Sequence, residues 1–246
     1  MSALREGTVH DVTLEARQLL VDGLEVPAFH ARPDGMPTAG LVLHPDIGGL
    51  RPLFEDMARR LATHGLAVCV IEPWAALPES AQWTSADDRL SHVRDLVDSQ
   101  QMDMLSAAAD LLVVEDDVSR VSVLGFCMGG HYTFKAASID RFDAAVSFYG
   151  MIRAPESWNG PGHRIEPLEV AARMAPTLAY FGSADPWTPP ADIDSLRAAW
   201  IGRDDCEIVV VEGAEHGFVH DPDRDAHRAD DAAQAWERAL AWLAAS

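Results

Sequence analysis

At 246 residues and 48% apolar content, the chain is long enough to bury a full α/β core, and residues 1–246 read as a single domain. A formal charge of −20, from 39 acidic against 19 basic residues with Lys135 the sole lysine, repels phosphate backbones and anionic headgroups and argues against nucleic acid or a membrane surface as partner. Cys69, Cys127 and Cys206 are too widely spaced for a disulfide framework or a zinc pattern, and no leader or ~20-residue apolar run stands in the chain, so a reducing, cytoplasmic setting is expected.

Short β-rich runs alternate with helix-like stretches, the order expected of a three-layer fold with a mostly parallel central sheet and helices on both faces. Residues 8–16 and 24–31 read as an opening antiparallel pair around the turn Val21-Asp22-Gly23-Leu24. Residues 40–44 form the next strand, ending at Pro45-Asp46-Ile47-Gly48-Gly49; residues 53–64 have helical spacing, and 66–71 are again a strand. The pattern weakens over 73–101, expected as a loop with one short helix, before a helix over 102–114. A strand from 121 enters Gly125-Phe126-Cys127-Met128-Gly129, with a helix beginning near Met128. Residues 144–149 are a strand, 150–167 a Pro-, Gly- and Trp-rich loop, 177–181 and 207–211 the last strands, and 229–244 a closing amphipathic helix.

The Gly-x-Cys-x-Gly segment, set where an apolar strand meets a helix, is the layout of a nucleophile elbow: flanking glycines remove side chains that would collide in so tight a turn. A thiol is a good nucleophile only as thiolate, so a base must stand within reach. Two later strand ends carry suitable groups, Asp185 in Gly182-Ser183-Ala184-Asp185-Pro186-Trp187 and His216 in Glu215-His216-Gly217-Phe218. Nucleophile, acid and base then follow in the chain order that α/β-hydrolase folds use. Cys127 would attack a carbonyl carbon, His216 would shuttle the proton and Asp185 would orient the imidazole, with the backbone N–H groups of Ile47 and Met128 as the oxyanion hole. A metal reading of His216, His220, Asp221 and Asp223 is disfavoured by Gly217 and Pro222, which break the helix that would align them, and no metal site is expected.

These residues resemble the dienelactone hydrolase family, cysteine-dependent α/β-hydrolases, over nearly the whole chain. The matching pieces are residues 44–50, 125–130, 148–150, 182–187 and 215–218. The resemblance implies a cytoplasmic hydrolase of small esters or lactones that needs no cofactor, with Cys127, Asp185 and His216 as its triad. Asp46 aligns with a family glutamate close to the nucleophile, and Trp187, with Trp74, Trp83 and Trp158, falls in loops expected to roof the site. Family members that act on dienelactone carry an arginine a few residues beyond the catalytic histidine, where this chain has His220; Arg51, Arg89 and Arg153 are the substitutes weighed from sequence. Acyl transfer on the same triad, a non-catalytic small-molecule receptor and a redox role for Cys127 stay open at this level.

Overall fold

The computed structural model of the protein describes residues 1–83 and 85–245. The chain opens with a hairpin, β1 (Val12–Val21) and β2 (Leu24–Pro33), whose turn places Asp22 and Gly23 at φ 50° and 86°. Positive φ at both central residues is the geometry that matches the right-handed twist of paired strands. Strand β1 starts and ends later than the sequence pattern suggests because the turn sets the register, pairing Val12 with Pro33. Residues 8–11 lie beyond that partner, and Val9 N–H instead donates to Thr63 O at 2.9 Å.

Next come β3 (Ala39–His44), α1 (Pro52–Ala62) and β4 (Leu66–Ile71). Proline at the start of α1 loses no helical hydrogen bond there. The weakly patterned stretch from 73 contains a 3-10 turn at Pro78–Gln82 and the helix α2 (Ala86–His92), which Ser85 and Asp88 start with a reciprocal capping box. Thr84 lies outside the described residues. Helix α3 (Asp98–Asp116) begins one turn earlier than its Ala- and Leu-rich core implies and ends at Asp117 in the left-handed region.

Strand β5 (Val121–Phe126) leads through Cys127 into α4 (Met128–Ala136), followed by β6 (Ala145–Phe148), the one-turn α5 (Pro167–Val170) and β7 (Thr177–Gly182). Helix α6 (Pro190–Ala199), β8 (Cys206–Val211) and α7 (Ala229–Ala245) complete the chain.

The eight strands form one sheet in the order β1-β2-β4-β3-β5-β6-β7-β8, antiparallel through β1, β2 and β4 and parallel from β4 to β8. Every residue of β3, β4, β5, β6 and β7 is buried, as a parallel sheet covered on both faces requires. Alternate residues serve two cores: Val42 and Val123 pack with α3 and α4 on one face, Leu41, Leu43 and Leu124 with α1 and α7 on the other. This is the α/β-hydrolase architecture. From β3 the chain goes first to β4 on one side and later to β5 on the other, so the loops after β3 and β5 splay apart at their carboxyl ends. Ligands bind in the crevice that such a switch point opens.

Candidate active site

Cys127 stands in that crevice with φ 54° and ψ −117°, a strained conformation for a side-chain-bearing residue. Two glycines make it attainable. A Cβ on Gly125 would lie 2.2 Å from Gly129 O, and one on Gly129 would lie 2.2 Å from His44 O and 2.4 Å from Pro45 O. The elbow is thus wedged against the loop after β3. Cys127 N–H donates to Phe148 O at 3.0 Å, which stitches the turn to β6, and His131 N–H returns to Cys127 O at 3.0 Å.

Asp185 and His216 arrive from the ends of β7 and β8. The Asp185 carboxylate is buried and held from two sides, accepting from Trp187 N–H at 2.8 Å and from His216 Nδ1 at 2.7 Å. With Nδ1–H spent on Asp185, the other ring nitrogen of His216 is left for Cys127, which lines the same cavity. Burial pulls the imidazole pKa down, but negative charge on Cys127 and the hydrogen bond to Asp185 outweigh it, raising His216 from 6.5 to about 10. The folded chain therefore holds this proton more tightly than the unfolded one. Its stabilising contribution is complete below pH 6.5 and is lost as pH rises through about 10. Because the sulfur charge leads the upward causes, Cys127→Ser should move the His216 titration, followed by NMR of the ring protons, from about 10 back toward 6.5. A titration unchanged in that variant would contradict the coupling.

Asp46 lines the same cavity as Cys127, but its hydrogen bonds run away from the sulfur. Its carboxylate accepts from Arg51 at 2.5 and 2.8 Å, from His220 Nε2 at 2.8 Å and from Gly48 N–H at 2.8 Å. Burial alone would raise its pKa, yet His220 and Arg51 hold it well below the usual carboxylate range. His220 is fully buried; burial lowers its pKa, so it is neutral near pH 7, donating Nε2–H to Asp46 and accepting at Nδ1 from Tyr149 OH at 2.5 Å. Tyr149, itself at φ 41°, meets the His216 ring edge-on at a centroid distance of 5.1 Å. His216 and His220 therefore serve different carboxylates.

A cavity of about 160 Å³ sits over Cys127 and His216. Its walls are largely apolar: Ile47, Leu90, Met151, Trp158 and Trp187, with Trp158 stacked beside Trp187. Trp74 and Trp83 pack against each other instead, with Trp74 fully buried. Arg224 also lines the cavity, and among the described residues its guanidinium has no ion-pair or hydrogen-bond partner. Of the arginines weighed from sequence, Arg51 is engaged by Asp46 and Arg153 by Asp192, while Arg89 lies over the Trp74 ring. Arg224 escapes notice in the sequence because the loop after β8 doubles back. Gly217, at φ 84°, brings its Cα so close that a Cβ there would meet the guanidinium at 2.8 Å. Helix α2, unassigned residue by residue from sequence, contributes Leu90 and Ala86.

Sheet order, elbow and crevice define an α/β-hydrolase-type enzyme. The chain belongs to the dienelactone hydrolase family, whose model matches residues 26–246, and is accordingly a hydrolase of ester or lactone type. It is 32% identical over 236 residues to a Methylorubrum extorquens protein named "Putative carboxymethylenebutenolidase", covering 93% of this chain and 79% of that one. It is 31% identical over 229 residues to a Bradyrhizobium protein named "Probable 2-oxo-3-(5-oxofuran-2-ylidene)propanoate lactonase", with 88% of each chain covered. Among solved structures, a "Putative Dienelactone Hydrolase" from Klebsiella pneumoniae superposes with a TM-score of 0.88 at 25% identity, covering 96% of this chain and 100% of that one. Among the described residues no helix is long and apolar enough to cross a membrane.

Proposed function

We propose that the chain acts as one catalytic domain that hydrolyses small lactones or esters bearing an anionic group, through a Cys127–His216–Asp185 triad and a thioester intermediate. The observation that carries the reading is the convergence, at one cavity, of an elbow cysteine, a histidine hydrogen-bonded to a buried carboxylate, and an arginine unpaired among the described residues. With the proton held on His216, Cys127 attacks the carbonyl carbon as thiolate. The oxyanion that forms accepts from the N–H groups of Ile47 and Met128, neither of which donates to a protein acceptor among the described residues. The carbon–oxygen bond then breaks, and the leaving oxygen takes the proton from His216. In a lactone that oxygen stays tethered to the acyl group. Water, deprotonated by His216, attacks the thioester; collapse breaks the carbon–sulfur bond, releases the carboxylic acid, which loses its proton to solvent, and restores the Cys127 thiolate beside protonated His216.

The substrate class follows from the walls. A cavity this small and apolar takes a compact ligand, and Arg224 offers a charge-assisted hydrogen bond to a carboxylate on it. The lactone named for the Bradyrhizobium relative carries both a lactone ring and a carboxylate. Arg224→Gln should raise KM about tenfold or more for a carboxylate-bearing enol lactone while leaving a neutral activated ester of similar size within about twofold. Equal effects on both substrates would remove the anionic group from the proposal.

A further inference from the structure

The loop after β3 is held by hydrogen bonds on both sides of Ile47. Asp46 O accepts from Gly49 N–H at 3.0 Å, Asp46 Oδ1 from Gly48 N–H at 2.8 Å, and Glu72 Oε2 from Leu50 N–H at 2.9 Å. The Ile47 carbonyl accepts from the indole Nε1–H of Trp74 at 3.0 Å. The Ile47 N–H donates to no protein acceptor among the described residues, and Ile47 lines the cavity with Cys127. In a trans peptide plane the carbonyl and N–H point in opposite directions, so anchoring Asp46 O sets where the Ile47 N–H points, and anchoring Ile47 O holds the next plane and limits rotation about the Ile47 backbone.

Two of the anchors come from the segment just beyond β4. Glu72 reaches back with both carboxylate oxygens, one to Leu50 N–H and one to Trp74 N–H at 3.0 Å, which ties the two loops together. A Cβ on Gly49 would strike that carboxylate at 2.6 Å, so the loop carries glycine where it passes Glu72. Trp74 is fully buried, braced edge-on by Trp83 with ring centroids 5.3 Å apart, and lies outside the cavity lining. It has no route to substrate, and its one polar atom is spent on the Ile47 carbonyl.

From this placement we infer that Trp74 and Glu72 are positioning residues that hold the Ile47 N–H toward the developing oxyanion, acting through the loop rather than on the substrate. The inference rests on the proposed reading of Ile47 as an oxyanion donor. A donor that needs no reorganisation at the moment of reaction stabilises the transition state, whereas one on a loosened loop gives up part of that advantage.

Trp74→Phe deletes the indole N–H and keeps most of the ring volume. It should lower kcat about tenfold with KM within about twofold, a fraction of the ~100-fold or more that losing one oxyanion donor outright costs. Affinity for a trifluoromethyl ketone, which forms an anionic adduct with a thiolate nucleophile, should fall in parallel with kcat. Glu72→Gln, which keeps one acceptor oxygen, should show a smaller loss of the same kind. A Trp74→Phe enzyme with unchanged kcat and inhibitor affinity would overturn the inference, as would a loss carried by KM alone. If Cys127→Ala stayed active, the reading of the site itself would fail. Active-site alkylation and circular dichroism on Trp74→Phe separate both cases from misfolding, and Trp74→Tyr provides a second ring of similar volume should phenylalanine fail to fold.

Discussion

Cys127→Ala should lower kcat by about ten-thousand-fold or more with any ester the enzyme accepts, and His216→Ala should do nearly as much. The two losses should not add. In the proposed mechanism sulfur and imidazole work as one unit, because the proton held on His216 is the one delivered to the leaving oxygen, so removing either would end the cycle. Steady-state kinetics of both single variants and the double variant check this. Asp185→Asn belongs to the same series but should cost less: an amide still contacts Nδ1 while failing to hold the charged imidazolium. Folding should be little affected by Cys127→Ala, since the strained φ of 54° is imposed by the surrounding backbone and alanine carries no larger a side chain.

The second large effect lies away from the catalytic groups. Lys135, the only lysine, has a fully buried side chain, and its ammonium donates to Asp98 Oδ1 at 2.7 Å. The other oxygen of Asp98 accepts from the N–H groups of Arg164 and Ile165, each at 2.7 Å, so one carboxylate joins α3, α4 and the loop that carries Trp158. Asp98→Asn leaves a buried ammonium without its counter-charge, and breaking such a pair costs about 3–5 kcal/mol. Denaturant unfolding at pH 7 should show that loss, and Asp98→Leu with Lys135→Met should recover much of it. Burial lowers the Lys135 pKa even though Asp98 opposes the shift. A base with a depressed folded pKa binds its proton less well than in the unfolded chain, so its contribution to stability rises with pH up to the ordinary value of 10.5. Without Asp98 the depression deepens, and the deficit of Asp98→Asn should shrink as pH climbs toward that value.

Much of the candidate site's placement is legible in the sequence because it is encoded in short, local patterns. The elbow needs two glycines and a strand on one side and a helix on the other, all within a dozen residues, and Cys127, Asp185 and His216 each follow their own strand. The parallel sheet was readable for a similar reason: β4 is a continuous apolar run, and β3 and β5 are apolar except for His44 and Ser122. What escaped depends on chain reversal and partner choice. Arg224 reaches the cavity only because the loop after β8 folds back over Gly217, and no periodicity signals that return. The pairing of Asp46 with His220 spans 174 residues. The displaced start of β1 follows from its hairpin register, since residues 8–11 have suitable side chains but no partner strand. Helix α6 did leave a signal, proline at its first position with Asp192 in the first turn, that was masked by the surrounding turn-forming residues.

The most direct measurement is intact mass spectrometry of the enzyme quenched in acid during turnover of an activated ester, followed by peptide mapping. A triad that works through a thioester should show a mass increase equal to the acyl group, located on Cys127, that disappears as substrate is exhausted and is absent in Cys127→Ala. Full turnover by that variant, or an acyl group borne on another residue, would contradict the mechanism.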